Sequence, residues 1–344
     1  MRRRLLALGC ALALALGLLP GCRAQARAQE STIFAMDTVM SLTVYGSRGE
    51  EGVAAATELI YQLEDLLSAT DEAGPLHALN HAAGAWTGLD GELLALLSNS
   101  KELCALTGGA LDITAYPAVQ AWGFISKDYR VPDDRELQAL AGRIDYTALE
   151  LDLSGGRARL PEGMEVDLGA VAKGYTGDRL AGLMEELGVE SAIFSLGGNV
   201  QAVGAKPDGS PWRVAIQDPE GNGNLAVVEV TDRAVVTSGG YQRYFEQDGV
   251  TYWHILDPET AAPARTGLQS VTVIGPEGLV CDGLSTALFV LGEEEGLALW
   301  RDHPELGVEL VLVREDGSVG VTAGLEGSFT LGEGFGDREV TVLS

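Results

Sequence analysis

Cysteine is nearly absent from the body of this chain. Four occur in 344 residues, and Cys10 and Cys22 sit at the very start, so only Cys104 and Cys281 remain and no disulfide scaffold can hold the fold. Positive charge is also scarce: 23 Lys and Arg stand against 50 Asp and Glu, a formal net charge of −27. A phosphate backbone needs a positive surface, which excludes sequence-independent nucleic-acid binding. Two nucleotide fingerprints, GxxxxGKS/T and GxGxxG, are missing. So are fixed-period repeats and low-complexity tracts. What is present suits a folded chain: 46% hydrophobic and 21% charged residues, at a length that can bury one large domain or two moderate ones. Glycine is plentiful at 45 residues, so many backbone positions call for positive φ or close approach.

The N-terminus has the layout of a targeting segment. Arg2, Arg3 and Arg4 precede an apolar run over 5–19, too short and too near the start for a membrane span. The run ends in Leu19-Pro20-Gly21-Cys22, which resembles a bacterial lipobox with Cys22 as the lipidated residue. A cleaved signal and a plain N-terminal anchor are the alternatives. Residues 1–22 are thus expected to be a lipoprotein signal peptide, 23–32 a polar tether and 33–335 the folded domain. That places the body on the extracytoplasmic face of the cell membrane, held by lipid.

Helical spacing predicts helices over 53–68, 92–106 and 170–187, the second stopped by Gly108-Gly109 and the third by Gly188. Period-two patterning predicts strands over 191–196, 212–217, 226–236 and 269–275, with a hairpin over 241–257 turning at Asp248-Gly249. Helices over 282–291 and 293–302 lead to a last hairpin at Asp316-Gly317. Strands often follow strands, so the expected class is α+β, with mixed, largely antiparallel sheets and packed helices.

Four clusters carry chemistry. The first, VDLGAVAKGY (166–175) followed by Asp178, sets an acid, small residues and Lys173 at a helix start. Exposed amides, the helix dipole and the Lys173 charge would attract a diphosphate; a tightly packed helix start is the equal alternative. The second, SLGGN (195–199), brings backbone close to something, or is simply a turn with Asn199 left-handed. The third joins Ser238-Gly239-Gly240-Tyr241 to His254-Ile255-Leu256-Asp257-Pro258, placing a histidine among aromatics and beside a turn acid. The fourth, Cys281-Asp282-Gly283-Leu284-Ser285-Thr286, sets Asp282 and Thr286 four apart, hence on one side of a helix. A carboxylate and a hydroxyl so placed can hold Mg²⁺ if other oxygens complete the shell; taken in isolation the pair favours an Asp N-cap with Thr286 folded back on the backbone.

In order and spacing these clusters resemble the ApbE family of FAD:protein FMN transferases, over nearly the whole mature chain. The resemblance rests on VDLGAVAKGY (166–175), SLGGN (195–199), KPDGSPWRVAIQDP (206–219), TSGGYQRYF (237–245), HILDP (254–258) and SVTVIGPEGLVCDGLSTALFVLG (270–292). It implies a T-fold-like α+β architecture and a Mg²⁺-dependent reaction: a Thr or Ser hydroxyl of a target flavoprotein attacks the FMN-side phosphorus of FAD, and AMP leaves. By the family pattern, Asp282, Ser285 and Thr286 and the Ala170 carbonyl are metal ligands. Met36, the strip Ala110, Leu111 and Asp112, Asp167, Lys173 and the backbone at Leu256 contact FAD. Asp282 and His254 serve catalysis. Asp37 replaces a usual Gly, and Thr70 a usual aromatic, so FAD affinity is expected to be looser. The implied acceptors are subunits of membrane redox pumps or exported reductases. Two other classes fit parts of the sequence: an FAD-binding or FAD-hydrolysing lipoprotein without a protein acceptor, and a transporter's solute-binding lipoprotein.

Overall fold

The computed structural model describes residues 27–344; the signal segment and Cys22 lie outside the described residues. Nine strands form the central sheet, and their order in space follows their order in the chain. They are β1 (Ala28–Ala35), β2 (Thr38–Tyr45), β3 (Ala192–Leu196), β4 (Asn199–Val203), β5 (Ala234–Gly239), β6 (Leu268–Gly275), β7 (Glu309–Arg314), β8 (Val319–Thr322) and β9 (Val340–Leu343). Every neighbouring pair is antiparallel except β8 and β9, which run parallel. The α+β class read from the sequence holds.

Alternation along each strand feeds two cores. Val271, Val273, Leu310 and Leu312 face helices, whereas Val235, Ile274, Val311 and Val313 face a small sheet of Trp212–Gln217, Asn224–Val230 and Phe329–Leu331. The helices that matter for the site are α1 (Gly49–Leu67), α2 (Gly91–Leu106), α3 (Ala172–Glu186) and α4 (Gly278–Asp302). In α1 the buried Gly52, Ala56, Ile60, Leu63 and Leu67 recur at helical spacing. Asp90 caps α2 by accepting the Glu92 N–H at 2.7 Å.

Three expectations are corrected. Strand β1 begins at Ala28, inside the stretch read as a tether, and β9 carries the fold past residue 335. The strand expected over 226–236 is two strands, Asn224–Val230 in the small sheet and β5 in the large one, parted at Asp232 with φ 49°. The two helical segments expected over 282–291 and 293–302 are present, parted at Gly292 with its non-helical φ of 78°, but the first starts a turn early, at Gly278; the whole element runs Gly278–Asp302. The early start matters, because it puts Asp282 one turn inside α4 rather than at its N-cap.

Candidate active site

The site is built where the N-termini of α3 and α4 cross. Two glycines make the crossing possible: a Cβ on Gly174 would overlap the Gly278 carbonyl and lie 2.7 Å from the Asp282 Cβ, and one on Gly278 would overlap the Gly174 carbonyl. Neither helix has a side-chain cap of its own. Each is capped by the other. Asp282 of α4 accepts the Gly174 N–H at 2.8 Å, and Asp178 of α3 accepts the N–H groups of Gly278 at 2.5 Å and Leu279 at 2.8 Å. First-turn amides that no helix can satisfy internally are thus met by carboxylates favoured by both dipoles. Asp178, read from the sequence as part of a phosphate-attracting cluster, is a cap in trans.

That role makes Asp178 sensitive to pH. Burial raises its carboxyl to about 6, against the pull of the two backbone hydrogen bonds. A carboxyl raised on folding keeps its proton while the unfolded chain loses it. Its contribution to stability is therefore full below the ordinary carboxyl range and is lost as pH rises to about 6. Melting the wild type and Asp178→Asn across pH 3.5–7.5 should show their difference changing below about pH 6.5 and constant above it. A parallel pair of curves would contradict the assignment.

Asp282 is 4% exposed, and among the described residues no Lys, Arg or His forms an ion pair with it. Burial drives its carboxyl upward, and the Lys173 charge is the strongest influence holding it down. The Asn199 amide faces the same carboxylate, yet its buried nitrogen completes no hydrogen bond within the protein. Asn199 is not the left-handed turn residue: Gly197 and Gly198 take that conformation, at φ 65° and 105°, and Asn199 opens β4. Nor does Thr286 fold back on its helix. Its Oγ1 lies 3.2 Å from Ser238 Oγ; Ser285 does the folding back, donating to the Asp282 carbonyl at 2.8 Å. Ser285 Oγ also lies 2.8 Å from Ser238 Oγ, so it is spent on protein contacts. Ala170 precedes α3 and its N-cap Val171, so its carbonyl takes no bond from the helix. Oxygens of Asp282, Thr286 and Ala170 thus remain as donors. Among the described residues no three His, Cys, Asp or Glu converge; the donors gathered here are all oxygens, the kind that suit a hard cation.

Around this centre stand the other expected residues. Lys173 Nζ reaches the Gly169 carbonyl at 3.4 Å, and its charge, after the Gly169 N–H, restrains the burial-raised Asp167 carboxyl. Met36 and Asp37 form the two-residue turn between β1 and β2, both left-handed at φ 49° and 57°. The strained Met36 is tied down by its N–H to Glu64 at 2.6 Å, and Thr176 Oγ1 lies 3.8 Å from its sulfur. In the strip at 110–112, Leu111 is buried, and Asp112 spends both oxygens on Thr114 and the Tyr146 N–H. Its side chain fastens loops, leaving backbone and Ala110 to meet a ligand. Leu256 packs with Trp122, Phe124 and Phe245. Thr70 is exposed in a turn closed by Ser68 and supplies no ring.

His254 lies edge-on to Phe124, centroids 6.3 Å apart. Desolvation, then Arg243 and Lys173, push its pKa down to about 4, so it is neutral at pH 7. Its Nδ1 is 3.3 Å from the Arg243 carbonyl, which can only accept, so the proton sits on Nδ1 and Nε2 carries the lone pair. Arg243 was not foreseen as a site residue, although it lies within TSGGYQRYF; only its contacts reveal it.

The family model described as "ApbE family" matches residues 36–311. This chain belongs to the ApbE family. ApbE relatives match along most of their length. The FAD:protein FMN transferase of Treponema pallidum (strain Nichols) is 36% identical over 326 residues, covering 89% of this chain and 90% of the relative. That of Vibrio cholerae is 34% identical over 264 residues, covering 75% and 78%. Among solved structures, the ApbE protein of Thermotoga maritima superposes with TM-score 0.83 at 31% identity, covering 87% of this chain and 98% of that one. The Pseudomonas stutzeri flavinyl transferase ApbE, in its apo form, gives 0.78 at 31%, covering 89% and 98%.

Proposed function

We propose that the chain is an FAD:protein FMN transferase that moves FMN from FAD to a Thr or Ser hydroxyl of a target flavoprotein, releasing AMP. The observation that carries this reading is the buried, unpaired Asp282 carboxylate at the crossed helix N-termini, with Lys173 beside it. A divalent cation bound together with a diphosphate would give Asp282 the cationic partner it lacks. The oxygens of Asp282, Thr286 and the Ala170 carbonyl suit Mg²⁺, which prefers few carboxylates and completes its shell with water and phosphate oxygens. When bound, Mg²⁺ supplies neutralisation of charge on the phosphates.

The chain's own residues do the rest. Lys173 draws the diphosphate in through its charge, and the dipole of α3 favours the same anion. Met36 and Ala110 position the flavin. Neutral His254 accepts the hydroxyl proton at Nε2 as the hydroxyl oxygen bonds to the FMN-side phosphorus. The phosphorus–oxygen bond to AMP then breaks, and AMP leaves with the electron pair. Separating nucleotide products after incubation with FAD, Mg²⁺ and a candidate acceptor domain tests the reading. AMP should appear as flavin disappears from solution, and chelation should stop both. AMP with free FMN would mean a hydrolase, and unconsumed FAD a binding protein.

We further propose that lipid on Cys22 holds the enzyme at the extracytoplasmic face of the membrane. A bacterial lipoprotein cysteine carries more than one chain, enough for stable attachment. Cys22→Ser should yield active, soluble enzyme; a variant that still fractionates with membranes after signal cleavage would refute the anchor.

A further inference from the structure

Asp37 ties together three segments distant in sequence. Its Oδ2 accepts from Arg243 Nη2 at 2.5 Å, and Lys127 Nζ lies 3.7 Å from its Oδ1. It projects from the same left-handed turn as Met36. Arg243 in turn holds His254 through its backbone: the Arg243 carbonyl accepts the His254 N–H at 3.2 Å and lies 3.3 Å from Nδ1. The hairpin tip that meets the flavin is therefore linked, through one ion pair and one carbonyl, to the imidazole that meets the hydroxyl. Both members are half-exposed, at 52% and 44%, so the pair adds little to stability. Its geometry is another matter. Arg243 stands between the Gly239-Gly240 pair and the hairpin of Tyr244–Gln247 and Val250–Trp253, so its anchored side chain sets the approach of the rung in which its carbonyl accepts the His254 N–H.

We propose that Asp37 and Arg243 are positioning residues for transfer: their ion pair sets the Arg243 carbonyl so that His254 keeps its proton on Nδ1 and presents a bare Nε2. The inference rests on the role of His254 proposed above, but its first test does not. Nitrogen-15 NMR of the histidine rings, with the His254 signals assigned by their loss in His254→Gln, reads the tautomer in the free protein. The wild type should show the Nδ1-protonated form. Asp37→Asn and Arg243→Gln should show a mixture, and Arg243→Lys, which keeps the charge, should recover part of the difference. In transfer assays the first two should lower kcat about tenfold with KM for FAD unchanged. An unchanged tautomer in both Asp37→Asn and Arg243→Gln overturns the proposal. A mixed tautomer with wild-type kcat upholds the positioning and removes His254 from the proposed mechanism instead.

Discussion

Asp282→Ala should transfer FMN roughly a hundredfold or more slowly than the wild type, the order lost when one well-placed charge-stabilising group is deleted. Some FAD binding should persist, since the flavin contacts proposed for Met36, Ala110 and Asp167 do not pass through Asp282. The fold should hold. The variant loses the cap on the Gly174 N–H, which costs about 1 kcal/mol. It also sheds a buried carboxylate whose desolvation is unfavourable. The two effects oppose, so the melting temperature should move by no more than about 3 °C. Thr286→Val should act in the same direction but less, because it removes a neutral oxygen. If Asp282 served only as a cap, the ranking would invert: a clear loss of thermal stability with normal turnover at saturating Mg²⁺. Both measurements on one preparation separate these outcomes.

Gly174→Ala should damage stability and transfer together. The added methyl has no room, since it would overlap the Gly278 carbonyl and crowd the Asp282 Cβ. Relief requires α3 and α4 to part, costing about 2–3 kcal/mol for backbone-limited overpacking. The same parting breaks both reciprocal caps and carries Asp282 away from Lys173. Gly182 on the same helix is the control, because a Cβ there meets nothing within 4 Å. Gly182→Ala should gain about 0.5–1 kcal/mol from helix propensity alone and leave transfer untouched. Equal melting temperatures for the two variants would mean that the helices tolerate separation.

The candidate site was legible where chemistry is local in sequence. Asp282 and Thr286 are four apart on one helix, and Lys173 follows small residues at a helix start; both patterns survive in three dimensions. Where residues answer to distant partners, the reading failed. Asp282 resembles an N-cap because the preceding Gly278, Leu279 and Val280 carry no cap signal; the cap of α4 is Asp178, one hundred residues earlier. Asp112 entered only through the family resemblance, as part of the strip from Ala110, and nothing local in the sequence shows that its side-chain oxygens bind Thr114 and the Tyr146 N–H. The β1–β2 hairpin was missed altogether. Its turn is Met36-Asp37, two residues with no Gly or Asn to mark their left-handed backbone, and Glu64 and Arg243 hold them from outside. The single strand expected over 226–236 contains no Gly or Pro to mark a break, so the change of sheets at Asp232, φ 49°, carries no turn signal beyond the Asp232-Arg233 pair itself. Helices α1, α2 and α3 were found within a few residues of their ends, because each buries a regularly spaced set of apolar residues: α2 in one core, α3 in another and α1 across both.

The account is tested most directly by the intact mass of an acceptor domain after incubation with this enzyme, FAD and Mg²⁺. The expected result is a gain of one FMN, localised by fragmentation to a single Thr or Ser, with one AMP released for each acceptor modified. An unmodified acceptor alongside AMP and free FMN would contradict it, because water would then be the nucleophile at the same site.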